Sequence, residues 1–149
     1  MAAARALRSA YDCHLAQFGL NLTTASTLAY VDQHGPITQT AIADGLGHGR
    51  AATGGYIDRL EERGLVERQS NRDDRRVWLV AATDTGRSLM VDVAEVDKQL
   101  RVQLRNGIDR DERQMLADVL VRLKTNLEHT IQSPTDPQFG ETNARSSNR

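Results

Sequence analysis

Arginine is the residue type in this sequence with the clearest chemical consequence. Of the nineteen basic residues among 149, only Lys98 and Lys124 are lysines. A guanidinium donates forked hydrogen bonds to phosphates and bases, which a lysine ammonium cannot do. Three arginines cluster at Arg72, Arg75 and Arg76. The cluster predicts contact with a polyanion. A codon bias toward arginine, and a charged turn that is merely solvated, are alternative explanations of the same residues.

Neither catalysis nor metal binding is indicated by the remaining polar residues. The sequence contains no nucleophile–base pair and no phosphate-binding loop. A single cysteine, Cys13, excludes an internal disulfide, and we expect it to be a small buried hydrophobic residue. The four histidines lack the spacing of metal ligands, and they are His14, His34, His48 and His129. We therefore expect no enzyme, no cofactor and no metal.

Composition excludes several further classes of protein. The net charge of −1 gives no overall basic field, and 39% hydrophobic residues suffice for the core of one ordinary domain. No apolar run approaches the ~20 residues that a bilayer span needs. The N-terminal segment lacks the long apolar stretch of a secretory signal. We expect a soluble, cytoplasmic protein with no membrane partner.

Apolar periodicity predicts helices before the arginine cluster. An apolar stripe from Leu7 to Phe18 indicates an amphipathic helix that ends at Gly19. Asn21 is a candidate N-cap for a second helix, which ends near Gly35-Pro36. Ile37 then fits one residue of a short strand.

Two short helices joined by a glycine-rich turn come next. Thr38 is a candidate N-cap for a helix from Gln39 to Leu46. The following helix is predicted to run from Arg50 to Arg63 and to end at Gly64. These lengths are typical of a helix-turn-helix.

The arginine cluster itself lies in a predicted hairpin. The pattern predicts two strands, Leu65–Ser70 and Arg76–Ala81, and the polar segment Asn71–Arg75 joins them as a turn. A hairpin directly after a helix-turn-helix is a wing. Thr83 begins a long helix, and the spacing of Asp109 and Glu112 predicts a capping box for the last helix.

The predicted fold is mainly α with a small β-hairpin wing. A winged helix-turn-helix at 19–83 is flanked by N- and C-terminal helical segments, 1–18 and 84–132. Apolar stripes on the last two helices would be exposed in an isolated subunit, which favours association of these segments into a dimer. Composition predicts that 133–149 is a disordered tail.

Several short motifs match one family at the expected spacing. They are Gly19-Leu20-Asn21, Gly35-Pro36, Ala41-Ile42-Ala43, Asp58-Arg59-Leu60-Glu61-Glu62-Arg63-Gly64-Leu65-Val66, Asp74-Arg75-Arg76 and Gly86-Arg87. Together they make residues 19 to 89 resemble the MarR family of bacterial transcription regulators. The resemblance implies an obligate homodimer on a palindromic site in double-stranded DNA. Typical members are repressors that release DNA when a small, often aromatic, ligand binds.

Under this resemblance, four groups of residues contact DNA. Two groups lie in the helix-turn-helix: the start of its first helix (Thr38, Gln39, Thr40) and the outward side of the recognition helix (Arg50, Ala51, Gly54, Gly55). The third is Arg68, which would contact a backbone phosphate. The fourth is the wing (Arg72, Arg75, Arg76), in which Asp74 would brace an arginine. Members usually carry Arg where this sequence has Gly55. Since Ala and Gly offer no paired donors or acceptors, we expect modest base readout from this helix. A helix seated deeper in the groove and a weakly specific reader are both open alternatives.

The effector site follows only from family geometry. It would lie among the first, second and fifth helices, and its lining would include Tyr11, Leu15, Ala25, Leu28 and Leu89. Trp78 is expected to be partly exposed and to pack against the hairpin or a helix, with stacking on nucleic acid as the alternative. The competing function is a winged-helix protein-interaction module with weak or non-specific DNA binding.

Overall fold

Nine main elements make up the part of the chain that the computed structural model describes, residues 2–132. The first unit, up to Leu104, holds α1 (Ala2–Leu15), α2 (Leu22–His34), β1 (Ile37–Thr38), α3 (Gln39–Leu46), α4 (Arg50–Glu62), β2 (Val66–Ser70), β3 (Trp78–Ala82) and α5 (Asp84–Leu104). The second unit, from Arg105, holds α6 (Arg110–Gln132). Within 2–132, no helix is long and apolar enough to cross a membrane. The predicted disordered tail, 133–149, lies outside the described residues.

The helix starts expected from capping residues are confirmed. The Asn21 side chain accepts a hydrogen bond from the Thr24 amide at 2.9 Å, and the Thr24 hydroxyl accepts one from the Asn21 amide, which completes a capping box. Thr38 caps α3 by accepting from the Ala41 amide. Asp109 and Glu112 exchange two such bonds at the start of α6, each of 2.9 Å.

Two predicted boundaries are displaced by more than one residue. The first helix ends at Leu15 rather than next to Gly19, because a 3₁₀ turn occupies Ala16–Phe18 before Gly19 adopts φ 64°. The second wing strand begins at Trp78 rather than at Arg76. The reason is that the Val77 amide donates to the Asp74 carbonyl at 2.9 Å, which keeps these residues in the turn.

The strands form a three-stranded antiparallel sheet in the order β1-β3-β2. Ile37 pairs with Val80 at one edge, which confirms the short strand expected there. Across the hairpin, Arg68 pairs with Val80 and Ser70 pairs with Trp78. Directly opposite residues share a face of a sheet, so Arg68, Ser70, Trp78 and Val80 lie on one side.

The core fills the space between the sheet and the helices of the first unit. Ile57 and Leu60 of α4 are buried, as their spacing predicts, and they pack in one cluster with Leu28 and Val31 of α2. Thr53 is also fully buried, and its hydroxyl donates to the Gly49 carbonyl at 3.1 Å. This burial leaves the opposite side of α4 outward.

The second unit, described by itself, exposes a continuous apolar stripe on α6. Its members are 44% to 55% exposed, and they are Leu116, Val119, Leu120, Leu123 and Leu127. Their spacing of three and four residues places them on one face of the helix. Val121 is more exposed, at 65%, and lies on the opposite face.

The close approach of α5 to the end of α4 depends on Gly86. A Cβ atom added there would lie far closer to the Leu65 carbonyl oxygen, a backbone atom, than van der Waals contact allows. That carbonyl also accepts the Thr83 amide at 3.1 Å, and the Thr83 hydroxyl caps α5 by accepting from the Gly86 amide at 3.0 Å. The junction therefore has little freedom to move.

Gly86→Ala should lower the free energy of unfolding by about 1–3 kcal/mol, the usual cost of overpacking. The matched control is Gly55→Ala, another helical glycine but with open space around its added Cβ. The control should gain up to about 1 kcal/mol from helix propensity. Urea unfolding monitored by circular dichroism measures both. Equal stability of the two variants would contradict the close approach.

Candidate nucleic-acid interface

The first residues of α3 and α4 are joined by a side chain. Gln39 Nε2 donates to the carbonyl of Arg50 at 3.1 Å. Thr40 and Arg50 are exposed beside this bond, whereas the Thr38 hydroxyl is engaged in capping α3. The structure thus brings together the two helix starts to which the family resemblance assigned DNA contacts.

Only some of the residues predicted on the outward side of α4 face solvent. Ala51 is exposed, and Gly55 has open space where a side chain would stand. Gly54 differs from the expectation, because it faces α3: an added Cβ would lie 3.0 Å from Gln39 Nε2. Gly54 therefore serves the packing of the two helices, and the bare part of the outward side is Ala51 and Gly55.

Arg68 is not a free cation. Its guanidinium pairs with Asp58 at 2.5 Å and also with Glu61, both on α4, and its amide donates to Glu61 at 3.1 Å. The hydrogen bond to Asp58 is the main cause that raises the pKa of Arg68. Arg68 therefore fastens β2 to α4 and is paired with Asp58 on the outward side of α4, and its contact with a backbone phosphate stays a prediction.

The three wing arginines differ from Arg68 in having no partner. Arg72, Arg75 and Arg76 are exposed, and no ion pair or side-chain hydrogen bond holds their guanidinium groups within residues 2–132. All three precede β3, in the turn between the wing strands. This part of the wing presents three guanidinium groups to solvent, and together with the exposed carboxylates of Asp73 and Asp74 they leave the turn with a net positive charge.

Hydrogen bonds donated by backbone amides give the wing turn its shape. Asn71 Oδ1 accepts the Asp73 amide at 3.0 Å, and Asp74 Oδ1 accepts the Arg76 amide at 2.9 Å. The Asn71 amide closes the turn by donating to the Val77 carbonyl at 2.9 Å. Asp74 was expected to brace a wing arginine. In this structure it holds the backbone amide of Arg76 and not the guanidinium.

Trp78 stands at the base of this turn and is 59% exposed. It makes no hydrogen bond or aromatic pair with the described residues. The expected packing against the hairpin or a helix therefore covers less than half of the indole.

A separate cavity of about 330 Å³ lies among α1, α2 and α5. Tyr11, Leu15 and Ala25 line it, as the family geometry implied. Leu28 and Leu89 were expected there and are elsewhere: Leu28 is completely buried in the core, and Leu89 lies on another surface hollow with Asp84. The sequence pattern could not distinguish the face of α2 toward the cavity from the face toward the core.

One polar network borders this cavity, and no sequence pattern indicated it. The Tyr11 hydroxyl donates to Asp97 Oδ1 at 2.7 Å, and Arg101 Nε donates to Asp97 Oδ2 at 2.5 Å. Burial, followed by the bond to Asp97, raises the pKa of Tyr11. The cavity is therefore apolar on most sides and has a hydrogen-bonded polar border.

Cys13 is exposed, so its expected burial is wrong for this chain. The physical reason is helix geometry: Cys13 is two residues from both Tyr11 and Leu15, which places it on the far side of the α1 stripe. Among residues 2–132, no group of His, Cys, Asp and Glu has the arrangement of a metal site.

The proteins to which this chain is similar are transcription regulators. A model of the MarR family matches residues 18–77. A relative, the uncharacterised HTH-type transcriptional regulator YdgJ of Bacillus subtilis (strain 168), is 25% identical over 109 residues. The alignment covers 73% of this chain and 66% of that protein, so the chain spans just under two thirds of its length.

Solved structures share the fold over most of the chain. A MarR-family regulator from Rhodococcus sp. RHA1 is 27% identical, with 89% of each chain covered and a TM-score of 0.72. A mutant of MarR from E. coli, complexed with operator DNA, is 23% identical and covers 78% of this chain and 84% of its own, with a TM-score of 0.74. At that identity the second likeness shows the fold alone.

Proposed function

We propose that the chain is a transcription regulator of the MarR family, whose model matches residues 18–77, and that it is a homodimer that binds a palindromic operator in double-stranded DNA. In this proposal it acts in the cytoplasm as a repressor, and a small aromatic ligand releases it from DNA. Residues 19–83 bind DNA, and 1–18 with 84–132 form the dimer.

The wing carries the proposal. Arg72, Arg75 and Arg76 are unpaired in a turn whose backbone is fixed by Asn71 and Asp74. Guanidinium groups are favoured in a narrow minor groove, where the negative potential is concentrated. Because the turn is shaped before binding, little conformational entropy of its backbone is lost when the arginines meet DNA.

A second contact region lies at the start of the two helices. Thr40 and Arg50 are exposed beside the Gln39–Arg50 bond, and backbone N–H groups at a helix start favour phosphates. Ala51 and Gly55 would lie against the major groove with few polar groups to offer. In this arrangement the helix positions the protein, and most of the favourable electrostatic energy comes from the wing.

Local charge explains how a chain of net charge −1 would bind a polyanion. Arg68 is paired with two carboxylates, whereas within residues 2–132 the three wing arginines are in no ion pair and outnumber the two aspartates of their turn. Each phosphate neutralised releases counterions, so affinity falls steeply with salt. A winged helix used only for protein contact would not need three unpaired arginines in the wing, and we do not favour that function.

The proposed dimer rests on the α6 stripe. Five apolar side chains from Leu116 to Leu127 are about half exposed in the single chain. A contiguous apolar surface of this kind is unusual on a monomer and is typical of an interface. Two copies are also what a palindromic site requires, because each half-site is met by one winged helix.

The cavity beside Tyr11 is the proposed effector site. Its volume of about 330 Å³ suits a small aromatic molecule, and Ala25 and Ala29 leave room on the α2 side. The Tyr11–Asp97–Arg101 network offers polar groups at its border. Since α1 and α5 belong to the proposed dimer segments and α2 to the DNA-binding segment, a ligand here would shift the two winged helices relative to each other.

Replacing Arg75 and Arg76 with Ala should weaken duplex binding by about tenfold or more. The slope of log K against log salt should fall by about 1 for each phosphate that the variant no longer neutralises. The assay is fluorescence anisotropy of labelled upstream intergenic DNA. The charge-matched control replaces Arg87 and Lys98 of α5, which are in surface pairs. Equal slopes for the two double variants would refute the wing assignment.

Leu123→Glu, within the α6 stripe, should raise the dimer dissociation constant by more than about tenfold, because it buries an unpaired carboxylate. Val121→Glu, on the opposite face of α6, is the matched control and should remain dimeric. Sedimentation velocity at micromolar concentration measures both, and duplex affinity should fall only for the first variant. A monomeric wild type would overturn the dimer proposal.

Phenol and benzoate added to the protein–DNA complex should release the duplex. Ser26→Phe, which fills the cavity from α2, should keep its affinity for DNA and resist release by these ligands. Gln33→Phe adds the same ring at an exposed position of α2 and should behave as wild type. If the Ser26→Phe variant is released as readily as wild type, the cavity is not the effector site.

A further inference from the structure

Trp78 is the largest exposed aromatic surface of the first unit, and the proposed function assigns it no role. Trp78 is 59% exposed although it lies in a strand, two positions before the buried Val80. Its N–H group is a donor without a partner among residues 2–132. Exposed tryptophan with an unused donor is typical of contact surfaces.

The register of the sheet determines which way this surface faces. Trp78 pairs with Ser70, two residues along the strand from the Arg68–Val80 pair, so all four side chains lie on one face. Arg68 on that face reaches Asp58 and Glu61 of α4. Trp78 therefore lies on the side of the hairpin that faces α4, beyond the point where the two are joined.

The other edge of β3 leads to α3. Thr38 pairs with Leu79, and α3 begins at the next residue, Gln39, whose side chain bonds to the start of α4. Trp78 is thus placed between the wing turn, which ends directly before it, and the start of α3. Both neighbours are groups for which we propose phosphate or groove contacts.

We propose that Trp78 contacts the DNA sugar–phosphate backbone that separates the groove entered by α4 from the groove entered by the wing. The indole face covers deoxyribose, and its N–H donates to a phosphate oxygen. The geometry favours this partner because any duplex that meets both α4 and the wing arginines must pass its backbone across the space between them. This inference rests on the proposed function.

Trp78 is the chain's single tryptophan, so its fluorescence reports this contact directly. Labelled-duplex anisotropy first establishes binding by the wild type. In the same complex, tryptophan quenching by acrylamide should fall relative to the free protein. If neither operator nor random duplex binds at low salt, the proposed function and this inference both fail. If the duplex binds and quenching is unchanged, only this inference is overturned.

Substitutions of Trp78 distinguish its contact with DNA from the contacts of the wing arginines. Trp78→Ala should weaken duplex affinity by about five- to tenfold with an unchanged salt slope, since the number of cations stays the same. Trp78→Phe should recover part of the affinity, because it keeps the apolar face and loses the donor. Wild-type affinity for a folded Trp78→Ala variant would overturn the inference. If that variant does not fold, the quenching result decides.

Discussion

A guanidinium shared by two carboxylates sets the position of the hairpin relative to α4. Arg68 extends from β2 and bonds to Asp58 and Glu61, one turn of helix apart. Ion pairs near the surface contribute little to stability, and these side chains are partly exposed. Their effect is positional: they attach the wing strand to α4 at one point, and they pair the carboxylate of Asp58 on the outward side of α4 with a cation.

Two glycines allow close approaches between other elements of the first unit. Gly54 lets Gln39 lie against α4, and Gly86 lets α5 meet the backbone at Leu65. In both places the missing side chain is what allows two elements to approach. Helix propensity alone would disfavour glycine at either position. The glycines therefore favour tertiary packing at the expense of local helix stability.

The fold was predictable where its determinants are local. Asn21, Thr38 and Asp109 cap helices through contacts within three residues, and the spacing of Ile57 and Leu60 alone indicates the buried face of α4. Cys13 could have been placed correctly by the same helical geometry, since it lies off the α1 stripe.

The partners of the charged residues were less predictable. Arg68 and Arg76 are the same residue type in the same hairpin, and only the turn at Gly64 brings Arg68 beside Asp58 and Glu61. Asp74 could be assigned to the wing turn but not to the backbone amide that it accepts. Likewise, Asp97 meets Tyr11 across 86 positions of sequence, a distance over which no pattern was visible.

The open space at Gly55 has a consequence for the choice of DNA sequence. A helix that presents α-carbons where side chains usually stand cannot distinguish base pairs by their hydrogen-bonding edges. Discrimination then moves to mechanical properties of the duplex: how narrow an A-tract holds its minor groove, and how easily a flexible step bends toward the protein. Under the proposed function, the DNA sites that this regulator prefers would share the stiffness and curvature of their duplex more than a consensus base sequence.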